Sequence, residues 1–216
     1  MNRKYYKIII LFLFLCNLLW ISKARAMLPL QGKFIIIDVG HGGKDPGTSY
    51  KNIYEKDLNL QISKKIAKNL SKMGASVQLI RIGDYDLSNG ITKHRKKHDF
   101  DNRIKIINNS KGDLYISIHQ NYLNNFKYYG AQVFYNKNNQ KIAETIQKHL
   151  NNNLNTTREI KRIPLNTYMY KYLNIPGVLI ECGFLSNPQE REILIKDNYQ
   201  EKLSLVITEG IIDYFN

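Results

Sequence analysis

The chain has 216 residues, enough for one catalytic domain of ordinary size and too few for two large ones. Hydrophobic residues make up 43% and charged residues 23%, which excludes a disordered chain and a multispan membrane protein. The formal net charge of +14 points to an anionic substrate or partner, and two cysteines, Cys16 and Cys182, are too few for a disulfide framework, a zinc ribbon or a Cys-ligated cluster.

Residues 1–26 read as an export segment. Arg3, Lys4 and Lys7 precede an apolar run from Ile8 to Ile21, broken only by Cys16 and Asn17, and Ala24-Arg25-Ala26 offers a cleavage site. At about 14 residues the run is shorter than the roughly 20 that cross a bilayer comfortably. Lys23 and Arg25 are unusual after a cleaved signal, so the expectation is a signal peptide or an uncleaved amino-terminal anchor, the chain's only membrane contact in that case. Leu15 before Cys16 argues against lipid attachment. The segment holds five basic and no acidic residues, which leaves +9 on residues 27–216.

From Leu28 onward, short apolar strands alternate with amphipathic helices. Phe34–Val39 is a nearly continuous apolar run, as in a strand covered on both faces. Glu55–Met73 sets Leu58, Ile62, Ile66, Leu70 and Met73 on one helical stripe, closed by Gly74. Val77, Leu79 and Arg81 alternate with Ser76, Gln78 and Ile80 in a second short strand. Arg103–Asn109 reads as helix, Asp113–Ile118 as a buried strand and Ala131–Tyr135 as another. Ile142, Ile146, Leu150 and Leu154 stripe a helix, and Val178–Cys182 is the last core strand. Leu203, Val206, Ile207, Ile211 and Tyr214 stripe a closing helix. The least regular stretches, Gly83–Phe100 and Thr156–Pro176, read as surface loops flanking a site. This alternation predicts an α/β fold, a single domain over residues 27–216 with a mostly parallel central sheet flanked by helices on both faces.

Three polar residues stand at strand ends, where a core pattern does not explain them. His41 follows Phe34–Val39 and Gly40, His119 follows Asp113–Ile118, and Glu181 ends the run Val178-Leu179-Ile180. In open α/β sheets the ligand crevice lies outside the carboxyl ends of the strands, where these side chains can converge. Glu55, in the first turn of the helix after the Gly-rich loop, is a fourth candidate. Two His and one carboxylate with an open fourth position form the ligand set of a hydrolytic zinc site, and a second carboxylate nearby serves as general base. Spacing alone leaves a plainer reading open, in which these are hydrogen-bonded loop and core residues. Asp38-Val39-Gly40-His41-Gly42-Gly43 lets the backbone turn sharply, with Asp38 or a nearby carbonyl placed to hold the second nitrogen of His41. The loop lacks the G-x-x-x-x-G-K-[ST] pattern of a phosphate cradle.

Four segments carry a family resemblance. Ile36-Ile37-Asp38-Val39-Gly40-His41-Gly42-Gly43, Glu55-Lys56-Asp57-Leu58, Leu114-Tyr115-Ile116-Ser117-Ile118-His119-Gln120-Asn121 and Leu179-Ile180-Glu181-Cys182-Gly183-Phe184-Leu185-Ser186-Asn187 resemble, in this order, the motifs of zinc-dependent N-acetylmuramoyl-L-alanine amidases. The resemblance runs from about Lys33 to Tyr214 and implies one Zn2+ per chain, held by His41, Glu55 and His119, with Glu181 as catalytic base. Val39 stands where Pro is common, Gln120 where Ala is common and Cys182 where an apolar residue is usual; none is an implied ligand. Asn155-Thr156-Thr157-Arg158, Lys161-Arg162, Gly130-Ala131-Gln132 and the basic Lys93–His98 loop are similar to the spore-cortex subgroup. That subgroup strips the stem peptide from muramic acid before muramic-δ-lactam forms. The resemblance thus implies an exported enzyme that cuts the amide between the lactyl group of N-acetylmuramic acid and L-alanine in peptidoglycan, in the cortex between the forespore membranes. Only Tyr122–Tyr129 separates the S-I-H-x-N strand from the next, little room for the blocking helix of division amidases. Any restraint on activity is therefore expected from a partner, and the resemblance to clostridial enzymes implies a lipoprotein activator as the candidate.

Other residues have plainer readings. Arg103, Arg158 and Arg162 are candidate clamps for stem-peptide carboxylates, which Arg binds bidentately, and Asn121 is a further candidate substrate contact. Solvated or helix-pairing cations explain the three arginines equally well. His94 and His98 read as a solvated basic loop, His149 as an exposed helix face, and Tyr168, Tyr170 and Tyr172 as ordinary strand patterning. Cys182 reads as a small buried residue, not a nucleophile. Two other classes remain to be weighed. One is an exported peptidoglycan-binding protein with an inactive or partner-dependent zinc site. The other is a nucleic-acid binder suggested by charge alone; with no recognition motif present, no nucleic-acid partner is expected.

Overall fold

The computed structural model describes residues 3, 5–7, 9–12, 27–91, 93–154 and 156–216. Most of the apolar run of the export segment, its cleavage site, Cys16 and Asn155 lie outside the described residues. Among the described residues no helix is long and apolar enough to cross a membrane.

Strand β1 (Phe34–Val39) is followed by a small hairpin of β2 (Ser49–Tyr50) and β3 (Ile53–Tyr54) that leads directly into α1 (Glu55–Lys72). Then come β4 (Ser76–Leu79), α2 (Arg95–Asn109), β5 (Leu114–Asn121), β6 (Gln132–Tyr135) and α3 (Gln140–Asn153). The chain closes with β7 (Lys161–Arg162), α4 (Tyr168–Tyr172), β8 (Gly177–Phe184), α5 (Pro188–Leu194) and α6 (Asp197–Phe215). Six strands form one sheet in the order β4-β1-β5-β8-β6-β7. All neighbours are parallel except β6 against β8.

Alternate residues of the central strands feed two cores. Ile35, Ile37 and Val39 of β1, Leu114, Ile116 and Ile118 of β5, and Val178 and Ile180 of β8 pack with Leu58, Ile62 and Ile66 of α1, Ile146 and Leu150 of α3, and Leu203 and Ile207 of α6. On the opposite face Ile36 and Tyr115 meet Ile107 of α2 and Met169 and Tyr170 of α4. Burial on both faces explains why these strands read as unbroken apolar runs. Each fully buried Ile or Leu contributes about 1.5–3 kcal/mol, so this double-sided core is the main cohesive force.

Besides the β2–β3 hairpin and the short β7 inside the expected loop Thr156–Pro176, which the sequence reading did not contain, the elements differ from it at four places. Helix α2 begins at Arg95 rather than Arg103, so the predicted loop over Gly83–Phe100 ends early and His98 lies on a helix. Its buried stripe is Asp99, Arg103 and Ile107, two charged residues in three, which an apolar periodicity does not register. Tyr168–Tyr172 is a short helix and not a strand: it buries Met169 and Tyr170 against the second core and leaves Tyr172 exposed. Helix α5 has its own signal, Asn187 accepting the Glu190 amide as N-cap with Pro188 after it. Strands β5 and β8 run on to Asn121 and Phe184, so His119 and Glu181 sit inside the strands as register partners.

Candidate active site

The carboxyl ends of β1, β5 and β8 bring together the residues that the motifs single out. Glu55, the first residue of α1 and only 3% exposed, lies between two imidazoles. Its Oε1 is 3.1 Å from His41 Nε2 and 2.9 Å from His119 Nδ1. The two rings meet edge to face with centroids 4.9 Å apart. His41, Glu55 and His119 each offer a ligand atom, all within 4.8 Å of one another, and so form a group able to hold a metal ion. Gly40 and Gly47 make this convergence possible. A Cβ on Gly40 would lie 2.5 Å from the His119 ring, and one on Gly47 (φ +67°) would lie 2.6 Å from Glu55 Oε2.

Hydrogen bonds orient each member. Asp45 Oδ2 lies 2.9 Å from His41 Nδ1 and holds that ring. Neither partner expected from sequence, Asp38 or a nearby carbonyl, takes this place; Asp38 accepts from Ser117 Oγ and Arg103 Nη1 instead. The Thr48 amide donates to Glu55 Oε2 at 2.8 Å, and the Gln120 amide donates to Glu55 Oε1 at 3.1 Å. Asn59, one turn along α1, donates to the Gly40 carbonyl at 3.2 Å and toward Glu55 Oε1 at 3.4 Å. Sequence reasoning missed Asp45 and Asn59. The available signals were an acid four residues after His41 in the Gly-rich loop and an amide four residues after Glu55 on the buried side of α1. His41 itself has φ 60°, a left-handed conformation that costs a non-glycine residue about 1–2 kcal/mol.

The electrostatics favour a cation. Burial pulls the His41 imidazole down, but hydrogen bonds to Asp45 and Glu55 outweigh it and raise its pKa to about 9. Burial pushes the Glu55 carboxyl up, and the two imidazoles more than reverse this, holding it well below the usual range. The His41 hydrogen bond lowers Asp45 to about 2. Glu181 is different. Its Oε2 is enclosed with no hydrogen-bond partner, although the residue as a whole is partly exposed. Burial raises its pKa to about 7, against the pull of His119 and with help from the Glu55 charge. A carboxyl poised near neutrality, opposite His119 in register, can both take up and release a proton.

A protein-family model described as N-acetylmuramoyl-L-alanine amidase matches residues 35–213. The chain belongs to this family. The germination-specific N-acetylmuramoyl-L-alanine amidase of Bacillus subtilis is 44% identical over 195 residues, covering 87% of this chain and 82% of the relative. Among solved structures, the CwlD amidase of Clostridioides difficile in complex with the GerS lipoprotein is 40% identical with a TM-score of 0.80, over 85% of this chain and 98% of that one. An N-acetylmuramoyl-L-alanine amidase from Clostridium difficile 630 is 34% identical with a TM-score of 0.74, over 84% and 96%. The chain is thus an enzyme of the cell wall, a peptidoglycan amidase.

The amidase places its remaining candidates less uniformly. Arg103, a substrate clamp in the sequence reading, is instead 2% exposed and spends its donors inside the protein, on Asp99, Asp38 and the carbonyls of Val39 and His41. Arg158 donates to the Tyr129 carbonyl at 2.8 Å and lies over the rings of Phe184 and Tyr128. Arg162 is exposed on β7, one of the two edge strands of the sheet. Asn121 is partly exposed at the end of β5, its carbonyl accepting the Leu185 amide. His94 has φ 55° at the start of α2, and neither it nor His98 joins the metal-ligand group. His149, partly exposed on α3, faces Asp213 of α6 at 3.3 Å. Cys182 is fully buried and burial pushes its thiol up, away from a thiolate role.

Proposed function

We propose that this amidase is a zinc hydrolase of spore-cortex peptidoglycan that cuts the lactyl–L-alanine amide, a step before muramic-δ-lactam forms. One observation carries the reading: His41, Glu55 and His119 meet around one point, with the enclosed and unpartnered Glu181 carboxyl on the adjacent strand. Two imidazole nitrogens and a carboxylate oxygen suit zinc, and the protein's own negative field at His41 suits any divalent cation. His41, Glu55 and His119 would hold the ion; when bound, zinc polarises the scissile carbonyl and lowers the pKa of water toward about 7. Glu181 Oε2 takes the proton from the attacking water and returns it to the leaving amine of L-alanine. The cortex assignment is supported by the 44% identity to a germination-specific relative.

The same reading covers export and partnership. Residues 1–26 act as a signal peptide or anchor that takes the enzyme out of the cytoplasm, to the cortex between the forespore membranes. Residues 122–130 contain no helix, so this loop supplies no helical plug like that of division amidases. Activity is then set by a partner, and a lipoprotein is the class suggested by the complex of the clostridial neighbour.

The test begins with zinc content of the purified chain beside His119→Ala and Glu181→Gln. One zinc per chain in the parent, lost in His119→Ala and kept in Glu181→Gln, supports the ligand and base roles. Peptide release from cortex-type peptidoglycan, assayed with and without the lipoprotein, should then fall by about 10²–10⁴ in Glu181→Gln. A Glu181→Gln enzyme as active as the parent would remove Glu181 from the mechanism.

A further inference from the structure

Beyond the carboxyl end of β1 three consecutive carbonyls turn toward buried side chains. Val39 O accepts Arg103 Nη1 at 2.8 Å and Arg81 Nε at 3.1 Å. Gly40 O accepts Arg81 Nη2 at 2.9 Å and Asn59 Nδ2 at 3.2 Å. His41 O accepts Arg103 Nη2 at 2.7 Å. The two guanidiniums reach this turn from different sides, Arg81 from just after β4 and Arg103 from α2, and they are 1% and 2% exposed.

Each arginine is tied to a second part of the site. Arg81 Nη2 also donates to the carbonyl of Lys56, the residue after Glu55, at 2.7 Å. Arg103 is fixed by Asp99 and Asp38, both at 2.7 Å, and Asp38 accepts from Ser117 Oγ, two residues before His119 on β5. Tyr170 of α4 donates to Ser117 Oγ in turn. One buried network therefore touches the backbone of His41, the start of the helix bearing Glu55 and the strand bearing His119. Burying two cations is a poor way to gain stability, because desolvation offsets their attraction to partners; what such a network supplies is a defined geometry. The geometry in need of definition is at its centre, since His41 is left-handed with φ 60°.

We propose that Arg81 and Arg103 are positioning residues for the metal-ligand set, holding the His41 backbone in the turn from which Nε2 meets Glu55. The inference rests on the proposed metal site. Lysine keeps the charge but not the fork, and one ammonium cannot span two carbonyls and two carboxylates as Arg103 does.

The experiment compares the full chain with Arg81→Lys, Arg103→Lys, Ser117→Ala and a control in the distant core, Leu150→Ala on α3. Folding is checked by circular dichroism, zinc affinity is read by chelator competition, and ligand geometry is read from the visible bands of the Co2+-loaded protein. The two lysine variants should bind zinc about 10–100-fold more weakly and show altered Co2+ bands, by analogy with losses of groups that orient metal ligands. Ser117→Ala should shift affinity in the same direction by less, and it carries the test if a lysine variant does not fold. Leu150→Ala should melt earlier yet bind zinc as the parent does. Parent-like affinity and bands in every folded network variant would overturn the positioning role, as would an equal loss in Leu150→Ala. A parent chain that binds no zinc would instead overturn the metal site itself, and this inference with it.

Discussion

Glu55 shares one oxygen between two imidazoles, and Asp45 holds the far side of His41. Such an arrangement raises affinity for a proton and for a metal ion alike, so the two compete. The raised His41 pKa has a definite sign for stability. A group whose pKa rises on folding stabilises fully below its unfolded value and loses that contribution as pH climbs through the folded one. The metal-free chain should therefore lose stability between about pH 6.5 and 9 through His41, and Glu181, raised from 4.5 to about 7, adds a decline in the same direction between about pH 4.5 and 7. Urea midpoints at closely spaced pH values measure this, and a flat profile from pH 6.5 to 9 would refute the His41 assignment. Zinc, by displacing the His41 proton, should abolish the decline.

At the scale of elements, α2 is the instructive case. Its buried face is Asp99, Arg103 and Ile107, so the helix docks through an ion pair as much as through apolar contact. Removing the acid leaves a buried guanidinium with one fewer counter-charge. Asp99→Ala should cost about 3–5 kcal/mol in a denaturant titration. A loss below about 1 kcal/mol, the scale of an exposed pair, would show that the pair is solvated in solution. The charged stripe also explains why the helix start at Arg95 was not legible. Hydrophobic periodicity reports apolar positions only, and the partners that neutralise Arg103 lie as far away as Asp38, 65 residues earlier. The strands β1, β5 and β8 were legible for the converse reason, each being apolar on both faces.

For the molecule as a whole, the sheet separates support from chemistry. Helices α1, α3 and α6 cover one face and α2 and α4 the other, while β1, β5 and β8 end together at the site. The two functions are separable by mutation. Leu150→Ala, fully buried between α3 and its neighbours, should cost about 2–5 kcal/mol in unfolding free energy. Zinc affinity of the folded variant should stay at the parent value, and a variant that loses affinity in step with stability would show that core and site are coupled.

The sequence by itself determined the α/β alternation, because short apolar runs alternate with amphipathic stripes. The polar residues His41, His119 and Glu181 stand out against those apolar runs, and the four ordered motifs, through their family resemblance, added Glu55 at the start of α1. Tertiary structure alone decided which groups serve those four. Asp45 and not Asp38 meets His41, since the left-handed turn at His41 swings Nδ1 toward the Gly-rich loop while Asp38 stays beneath the sheet with Arg103 and Ser117. Arg103 turns inward and not toward substrate, since the carbonyls of Val39 and His41 and two carboxylates await it there. For Arg103, partners 62 to 65 residues earlier leave no local pattern; for His41 the acid is only four residues on, and the folded turn is what selects it over Asp38.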